Sequence, residues 1–278
     1  MILNKFYVDN LIKKAIEEDI NYIDVSSDFL FSDKDTTTAK FVSKADGVLC
    51  GIDVAMRVFE LLDDSFQSKI YFNDGDKIKK GDLIAEFSGK TSQLLKGERT
   101  ALNILQHLSG IATQTAAASE LCKGTNAHIT DTRKTLPGLR AMQKYAVVCG
   151  GGKNHRYNLS DGVMLKDNHI DAAGSITKAV EIVRKKIGHM VKIEVETRNL
   201  DEVKEALEVK ADIIMLDNMN CEEMTEAVKI IDGKALTEAS GNITLETIEK
   251  VAKTGVDIIS MGALTHSVKA FDISMKIS

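Results

Sequence analysis

Short apolar runs alternate with amphipathic stretches along the second half of the chain, from about residue 128 to residue 262. The apolar runs are rich in β-branched residues, which is typical of strands buried in a parallel sheet. The stretches between the later runs carry apolar residues at helical spacing. The predicted strands are AHITDT, GVMLKD, VKIEVE, DIIMLD, KALTEAS and DIISMG, and the predicted helices are SITKAVEIVRKKIG, NLDEVKEALEVK, CEEMTEAVKIID and TLETIEKVAKTG. This rhythm predicts an α/β fold in which helices cover a parallel sheet.

The number of predicted strands decides between two architectures. About six strands are expected, in a region well short of the roughly 250 residues of a full eight-unit α/β barrel. An irregular, incomplete barrel is therefore favoured, and a doubly wound open sheet is the alternative.

The first part of the chain follows a different pattern, with short strands, Gly-Asp turns and one helix but no regular alternation. A nearly continuous helical pattern from residue 97 to residue 124 is expected to connect the two parts. The sequence therefore predicts an N-terminal domain over 1–105 and a barrel domain over 106–265. We expect the tail, 266–278, to pack with the first domain.

The composition is that of an ordinary soluble globular protein, with 278 residues of which 44% are hydrophobic and 28% are charged. No apolar run approaches the roughly 20 residues of a membrane helix, and the N-terminus lacks the layout of a signal peptide. We therefore expect a cytoplasmic protein without a membrane partner. A pI near 5.8 and the absence of Trp give no indication of a nucleic-acid partner.

The four cysteines, Cys50, Cys122, Cys149 and Cys221, show no CxxC motif and no Cys/His spacing typical of a metal site. Neither a disulfide framework nor a zinc site is indicated. We expect four free, buried thiols.

Polar residues or glycines follow every predicted strand of the second half. Because ligands of parallel α/β folds bind at the carboxyl ends of the strands, these residues are candidates for a binding site. They are Thr132, Arg133, Lys134, Lys166, Asp167, Glu194, Glu196, Asp217, Glu238, Ser240, Gly241 and Gly262.

The segment 131–169 is basic within an acidic chain. It carries seven Lys and Arg and three Asp, a net charge of +4, in a chain whose formal net charge is -5. Like charges gathered at one site repel each other unless an anion neutralises them. A solvated surface position is the simpler expectation for Lys144, but not for Arg133 and Lys166, which directly follow strands.

Two glycine-containing turns and two carboxylates complete the candidate chemistry. The turns at 240–242 and 261–267 offer backbone N–H groups to a phosphate. Glu196 and Asp217 end successive strands and suit sugar hydroxyls or a hydrated Mg²⁺, or they are ion-pair partners of the basic segment. Glu194 is expected on the other face of its strand.

Six ordered blocks of the sequence resemble the quinolinate phosphoribosyltransferase family, and the likeness extends from residue 17 nearly to the C-terminus. The blocks are GERTALNILQHLSGIAT, DTRKTLPGLRAMQKYAVVCGGGKNHRYNLSDGVMLKDNH, KIEVET, IIMLDNM, EASGN and DIISMGALTHS. The resemblance implies a type II phosphoribosyltransferase, with an N-terminal α/β sandwich, a C-terminal irregular α/β barrel and a homodimeric assembly. It implies an enzyme that joins quinolinate to phosphoribosyl pyrophosphate with Mg²⁺, giving nicotinate mononucleotide, pyrophosphate and carbon dioxide for NAD biosynthesis.

The resemblance also assigns roles to individual residues. It implies quinolinate binding by Arg133, Lys134, His155, Arg156 and Lys166, substrate binding by Thr132, and donation of Arg99 across the dimer interface. It implies ribose and Mg²⁺ binding by Glu196 and Asp217, and phosphate binding by Ser240, Gly241, Asn242 and Gly262. The implied catalytic residues are Lys134, Lys166, Glu196 and Asp217.

Two departures from the family pattern and three alternative functions stay open at this point. Leu136 stands where the family usually has Thr, and Asn242 where a second Gly is common, although Asn tolerates a positive φ. The alternatives are a molybdenum-transport-associated paralogue, an aldolase that forms a Schiff base on Lys166, and a non-catalytic binding protein.

Overall fold

The computed structural model describes residues 3–277, and eleven helices and twelve strands lie within that range. The helices are α1 (Lys5–Asp19), α2 (Ser27–Leu30), α3 (Ile52–Leu62), α4 (Thr91–Leu121), α5 (Arg140–Cys149), α6 (Asp167–Ala173), α7 (Ile176–Arg184), α8 (Leu200–Glu208), α9 (Cys221–Ile231), α10 (Ile248–Ala252) and α11 (Ala263–His266). The strands are β1 (Thr36–Ser43), β2 (Gly47–Val48), β3 (Gln67–Ile70), β4 (Lys77–Ile78), β5 (Leu83–Lys90), β6 (His128–Thr130), β7 (Val163–Leu165), β8 (Ile193–Thr197), β9 (Ile213–Asp217), β10 (Leu236–Ser240), β11 (Ile258–Ser260) and β12 (Ile273–Ile277).

The chain divides into two compact units. The first comprises the described residues up to Ala116, the segment Ala141–Gly151 and the described residues from Val268 onward. The second comprises Ala117–Arg140 and Gly152–Ser267. Most of α5 thus belongs to the first unit, although the segments up to Arg140 and from Gly152 onward belong to the second.

The first unit is built on an antiparallel sheet with the strand order β12-β1-β5-β3. Burial alternates along the second half of β1, where Ala39, Phe41 and Ser43 are buried. This period of two points one face of the strand into the core. The ring of Phe41 packs against Phe87 of β5 and Phe59 of α3, with centroids 4.9 and 6.2 Å away.

The second unit contains the six predicted strands, all parallel, in the order β6-β11-β10-β9-β8-β7. A doubly wound sheet would reverse its strand order at a switch point. Here β7 to β11 follow one another in a single direction, and β6 lies beside β11. This is the winding of an α/β barrel with fewer than eight units, so the predicted incomplete barrel is confirmed.

Two helices of the second unit differ from the sequence prediction. The pattern TLETIEKVAKTG yields only the short α10, because Thr244 and Thr247 first form a turn closed by the Thr247 N–H bond to the Thr244 carbonyl, 3.0 Å. Helix α6 was not predicted, since Ile170 is its only buried residue and leaves no apolar period to detect.

The expectation that Lys144 lies at the surface is wrong, because its relative exposure is only 1%. It lies on the face of α5 that also buries Val147, three residues further along the helix. Among the described residues, no helix combines the length and the apolar character needed to cross a membrane.

Candidate active site

A cavity of about 460 Å³ lies at the carboxyl ends of the parallel strands of the second unit. Its lining contains most of the residues predicted to bind substrate, contributed by five of the six strand ends or the segments that follow them. These residues are Thr132, Arg133, Lys134, His155, Arg156, Lys166, Glu196, Asp217, Ser240, Gly241 and Asn242. The lining also includes Met164, Met215, Asn218, Glu238 and Ser260. Parallel strands bring these positions together because their carboxyl ends share one edge of the sheet.

The basic side of the cavity contains two guanidinium groups, those of Arg133 and Arg156. Arg156 is held by a hydrogen bond from its Nη1 to the carbonyl of Gly162, 2.8 Å. Burial, together with the positive charge of Arg133, lowers the pKa of Arg156. Two cations that disfavour each other's charge in a half-buried site form a place for an anion.

The segment that follows Arg133 is held in place by backbone and side-chain hydrogen bonds. The Leu139 N–H donates to the carbonyl of Leu136, 3.1 Å, which closes a turn with Pro137 and Gly138 in the middle. Gly138 has φ +81°, so the turn has the Pro-Gly arrangement of type II. Arg140 does not line the cavity. It braces the same segment, because its Nε donates to Thr135 Oγ1 at 3.0 Å.

Two carboxylates and one lysine form the opposite side. Lys166 Nζ lies 3.5 Å from Glu196 Oε2. Burial raises the pKa of Glu196, and the charge of Lys166 opposes that rise. Asp217 ends β9, and its Oδ2 accepts a bond from the side-chain amide of Asn218, 2.8 Å. These oxygens suit hydroxyl groups or a hard cation.

The turns after β9 and β10 have left-handed backbone conformations. Asn218 has φ +53°, Gly241 φ +100° and Asn242 φ +49°. The expectation that Asn242 tolerates a positive φ is confirmed. Its Nδ2 donates to Asn218 Oδ1, 3.2 Å. A Cβ at Gly241 would overlap the Asn218 side chain, so the two turns approach as closely as they do only because residue 241 is glycine.

Two of the residues to which the family resemblance assigns a role are not part of the cavity lining. Gly262 lies close by, since a Cβ there would come within 2.8 Å of the Lys134 side chain. Arg99 is exposed on α4, in the part of that helix that belongs to the first unit. Its predicted role is taken up below as a proposal.

The structure brings three separately predicted candidates, His155, Glu194 and Glu238, together in one buried cluster, which the sequence analysis did not predict. His155 Nε2 lies 3.0 Å from Glu194 Oε2 and 3.6 Å from Glu238 Oε2. His155 Nδ1 accepts the backbone N–H of Arg156, 2.8 Å. Since Nδ1 accepts, the ring proton of a neutral His155 lies on Nε2, facing the glutamates. His155 is thereby tied to Arg156 on one side and to the glutamates on the other.

Burial of the two glutamate carboxyl groups is unfavourable, and the surrounding groups offset this only in part. Glu194 is 3% exposed and Glu238 is 1% exposed, and Oε1 of each has no hydrogen-bond partner. Burial, together with the charge of Glu194, raises the pKa of Glu238 to about 7. A second cavity, of about 410 Å³, is lined by His155 and both glutamates.

The expectation that Glu194 faces away from Glu196 is wrong. Side chains two residues apart in a strand lie on the same side, and Glu194 contacts His155, which lines the cavity together with Glu196. The same rule places Glu238 on the same side of β10 as Ser240, two positions further along the strand. Each glutamate is the deeper neighbour of a predicted site residue.

Models of both domains of one protein family match the chain. The N-terminal domain of quinolinate phosphoribosyl transferase matches residues 24–109, and the C-terminal domain matches residues 111–276. The chain belongs to the quinolinate phosphoribosyltransferase family.

Individual relatives cover nearly the whole chain. A Bacillus subtilis protein named probable nicotinate-nucleotide pyrophosphorylase (carboxylating) is 44% identical over 276 residues, covering 99% of this chain and 95% of that one. A Nicotiana tabacum protein named quinolinate phosphoribosyltransferase (decarboxylating) 2b is 43% identical, covering 96% of this chain and 81% of that one. The crystal structure of NadC from Streptococcus pyogenes has a TM-score of 0.97 at 43% identity, covering 100% and 99% of the two chains.

Membership of the quinolinate phosphoribosyltransferase family does not favour the aldolase alternative for Lys166. Lys166 Nζ instead lies 3.5 Å from a carboxylate oxygen of Glu196.

Proposed function

We propose that this protein transfers the phosphoribosyl group of phosphoribosyl pyrophosphate to quinolinate and releases carbon dioxide. The products are nicotinate mononucleotide and pyrophosphate, and the reaction serves NAD biosynthesis. The observation that carries the proposal is the cavity itself, which is lined by Arg133, Arg156 and Lys134 and by a second group in which Lys166 lies beside the carboxylates Glu196 and Asp217. The names of the family's characterised members support the same reaction.

Quinolinate is assigned to the basic side of the cavity. It carries two carboxylates on adjacent ring carbons, and the planar forks of Arg133 and Arg156 suit carboxylates better than point charges do. Thr132 and Lys134 extend this wall. His155 is assigned the role of holding Arg156, because both of its ring nitrogens are already engaged.

Phosphoribosyl pyrophosphate is assigned to the other side. Glu196 and Asp217 would bind the ribose hydroxyls, and the turns at Ser240, Gly241, Asn242 and Gly262 would present backbone N–H groups to the 5′-phosphate. Carboxylate oxygens at the edge of an open cavity also fit Mg²⁺, which prefers oxygen ligands and keeps several waters. When bound, Mg²⁺ would offset the charge of the pyrophosphate leaving group.

Catalysis in this arrangement is positioning and electrostatics rather than acid-base chemistry. The quinolinate nitrogen bonds to ribose C1 as the C1–O bond to pyrophosphate breaks, through an oxocarbenium-like centre. The ring nitrogen is then positively charged and takes up the electron pair released when the neighbouring carboxylate leaves as carbon dioxide. Lys134 and Lys166 keep the two anionic substrates together, and the ring carbon finally takes a proton.

The assembly and location of the protein are part of the same proposal. Arg99 is exposed, and we assign it to the quinolinate site of a partner subunit in a homodimer. We assign the protein to the cytoplasm.

One assay tests the proposed function. The protein is incubated with quinolinate carrying a labelled 2-carboxylate, phosphoribosyl pyrophosphate and Mg²⁺, and labelled carbon dioxide and nicotinate mononucleotide are measured together. Both products should form in equal amounts, and omission of any component should stop both. Nicotinate lacks the second carboxylate and should not replace quinolinate.

A matched pair of variants ties that activity to the cavity. Arg156→Ala should lose it, whereas Arg198→Ala should keep it, because Arg198 pairs with Glu202 outside the cavity at 2.8 Å. Quinolinate binding without either product would contradict the proposal and support a binding protein. Turnover of nicotinate in preference to quinolinate would support a paralogue of different specificity.

A further inference from the structure

Two cysteines that are distant in sequence meet in the first unit. Cys50 lies between β2 and α3, and Cys149 is the last residue of α5. Their sulfurs and a carboxylate oxygen of Asp74 all lie within 4.8 Å of one another. No CxxC motif predicts this pair, because the fold brings together two thiols that are far apart in sequence.

Asp74 accepts three hydrogen bonds within the cluster. Its Oδ1 accepts the backbone N–H groups of Gly51 and Ile52, at 2.7 and 2.9 Å, at the start of α3. Its Oδ2 accepts the hydroxyl of Tyr145, 2.8 Å. A metal ion at this carboxylate would compete with three hydrogen-bond donors. The cluster is therefore better suited to chemistry between the two sulfurs than to metal binding.

The two thiols have different surroundings. Cys50 is fully buried, whereas Cys149 is partly exposed. A hydrogen bond from the Cys50 thiol lowers the pKa of Cys149, and burial raises the pKa of Cys50. A partly exposed thiol with a hydrogen-bond donor beside it is the one that meets an oxidant first, and a buried thiol in contact with it can resolve the product.

We propose that Cys50 and Cys149 form a reversible disulfide when the protein meets a peroxide. The Cys149 thiolate attacks one peroxide oxygen, the O–O bond breaks, and the leaving oxygen departs as water once protonated. Cys149 is then a sulfenic acid. The Cys50 sulfur attacks the Cys149 sulfur, the S–O bond breaks, and hydroxide leaves as a second water with the Cys50 proton. The two sulfurs lose two electrons in all, and the peroxide takes them up.

The surrounding chain limits how the sulfurs approach each other. The backbone of Cys50 is fixed at both polar atoms by Ser109 Oγ, at 3.0 Å to N and 3.2 Å to O. Gly150 is packed so closely against the Ala112 carbonyl that a Cβ there would overlap it. The approach to a bond of about 2.05 Å therefore needs rotation of the two side chains rather than a shift of the backbone.

The test treats the reduced wild-type protein with hydrogen peroxide, blocks remaining thiols after unfolding, and maps the peptides without reduction. A Cys50–Cys149 peptide should form, and dithiothreitol should reverse it. Cys122 and Cys221 are internal controls and should stay free. No variant is needed for this result, so a folding defect cannot obscure it.

Two variants then test the order of steps. In Cys50→Ser, Cys149 should accumulate as a sulfenic acid that a dimedone probe traps. In Cys149→Ser, Cys50 should stay reduced under the same exposure. The proposal is overturned if the wild type forms no Cys50–Cys149 peptide, if Cys221 oxidises as fast as Cys149, or if Cys50 oxidises equally well without Cys149.

Discussion

The cluster around Asp74 in the first unit and the cluster of His155, Glu194 and Glu238 in the second unit have their hydrogen-bonding groups satisfied to different degrees. In the first unit, both oxygens of Asp74 accept hydrogen bonds from donors of the same unit. In the second unit, Glu194 and Glu238 each keep one oxygen without a partner, although both are almost fully buried. A satisfied cluster stabilises the fold, whereas an unsatisfied one lowers stability and is expected where a binding site needs its charge.

The difference follows from where the two clusters sit in their sheets. Asp74 faces the first backbone N–H groups of α3, which no intrahelical acceptor can satisfy. The glutamates lie on strands of a parallel sheet, whose backbone groups are already paired with neighbouring strands. Only side chains and ligands are then left to partner them, and His155 supplies a single N–H.

The largest effect is expected from Asp74→Ala. The substitution leaves the Gly51 and Ile52 N–H groups and the Tyr145 hydroxyl without their acceptor, and it should lower the free energy of unfolding by about 4 kcal/mol. Guanidinium denaturation measures this loss of stability. The control is Asp53→Ala, since Asp53 lies in the first turn of α3 and makes none of these bonds. A loss below about 1 kcal/mol would remove the contrast between the two clusters.

Glu238→Gln should raise the free energy of unfolding at neutral and alkaline pH, whereas Asp74→Ala should lower it. The pKa of Glu238 rises from its ordinary value of 4.5 to about 7 on folding, so the folded state keeps a proton that the unfolded state has lost. Its contribution to stability is present below pH 4.5 and is lost as the pH rises to about 7.

At pH 8 the cost of ionising this buried group is about 3 kcal/mol. The wild type should therefore lose about that much stability between pH 4.5 and pH 7 relative to Glu238→Gln. Denaturation curves across this range give the comparison, with the exposed Glu208→Gln as control. Parallel pH profiles for the wild type and Glu238→Gln would contradict the account of the buried pair.

The smallest effect is expected from Tyr145→Phe. It removes one of the three donors to Asp74 while the two backbone donors remain, so the free energy of unfolding should fall by about 2 kcal/mol. The same denaturation measurement applies, and Tyr157→Phe is the matched control on an exposed tyrosine. A loss as large as that of Asp74→Ala would mean that the backbone bonds contribute nothing.

The cavity could be predicted from sequence because parallel strands gather the residues that follow them. Arg133, Lys166 and Asp217 each come at or directly after an apolar run, and the structure brings them to one cavity. The six strands were predictable for the same reason, since β-branched runs buried on both faces are distinct from their amphipathic connections.

The buried features were not predictable from the same reasoning. Glu194 and Glu238 could be named as candidates from their place near the strand ends, but their burial beside His155 could not be predicted. The Cys50 and Cys149 pair depends on long-range packing, which short-range motifs do not encode. Lys144 is buried because it lies on the buried face of α5, although its side chain is polar.

The central claim is that the basic side of the cavity recognises the two carboxylates of quinolinate. Calorimetric titration of wild type and Arg133→Ala with quinolinate, and separately with phosphoribosyl pyrophosphate and Mg²⁺, tests it most directly. Loss of two charge-assisted hydrogen bonds should weaken quinolinate binding by roughly 100-fold, while phosphoribosyl pyrophosphate binding should change by less than about threefold. Equal losses for the two ligands, or unchanged quinolinate affinity, would contradict the claim.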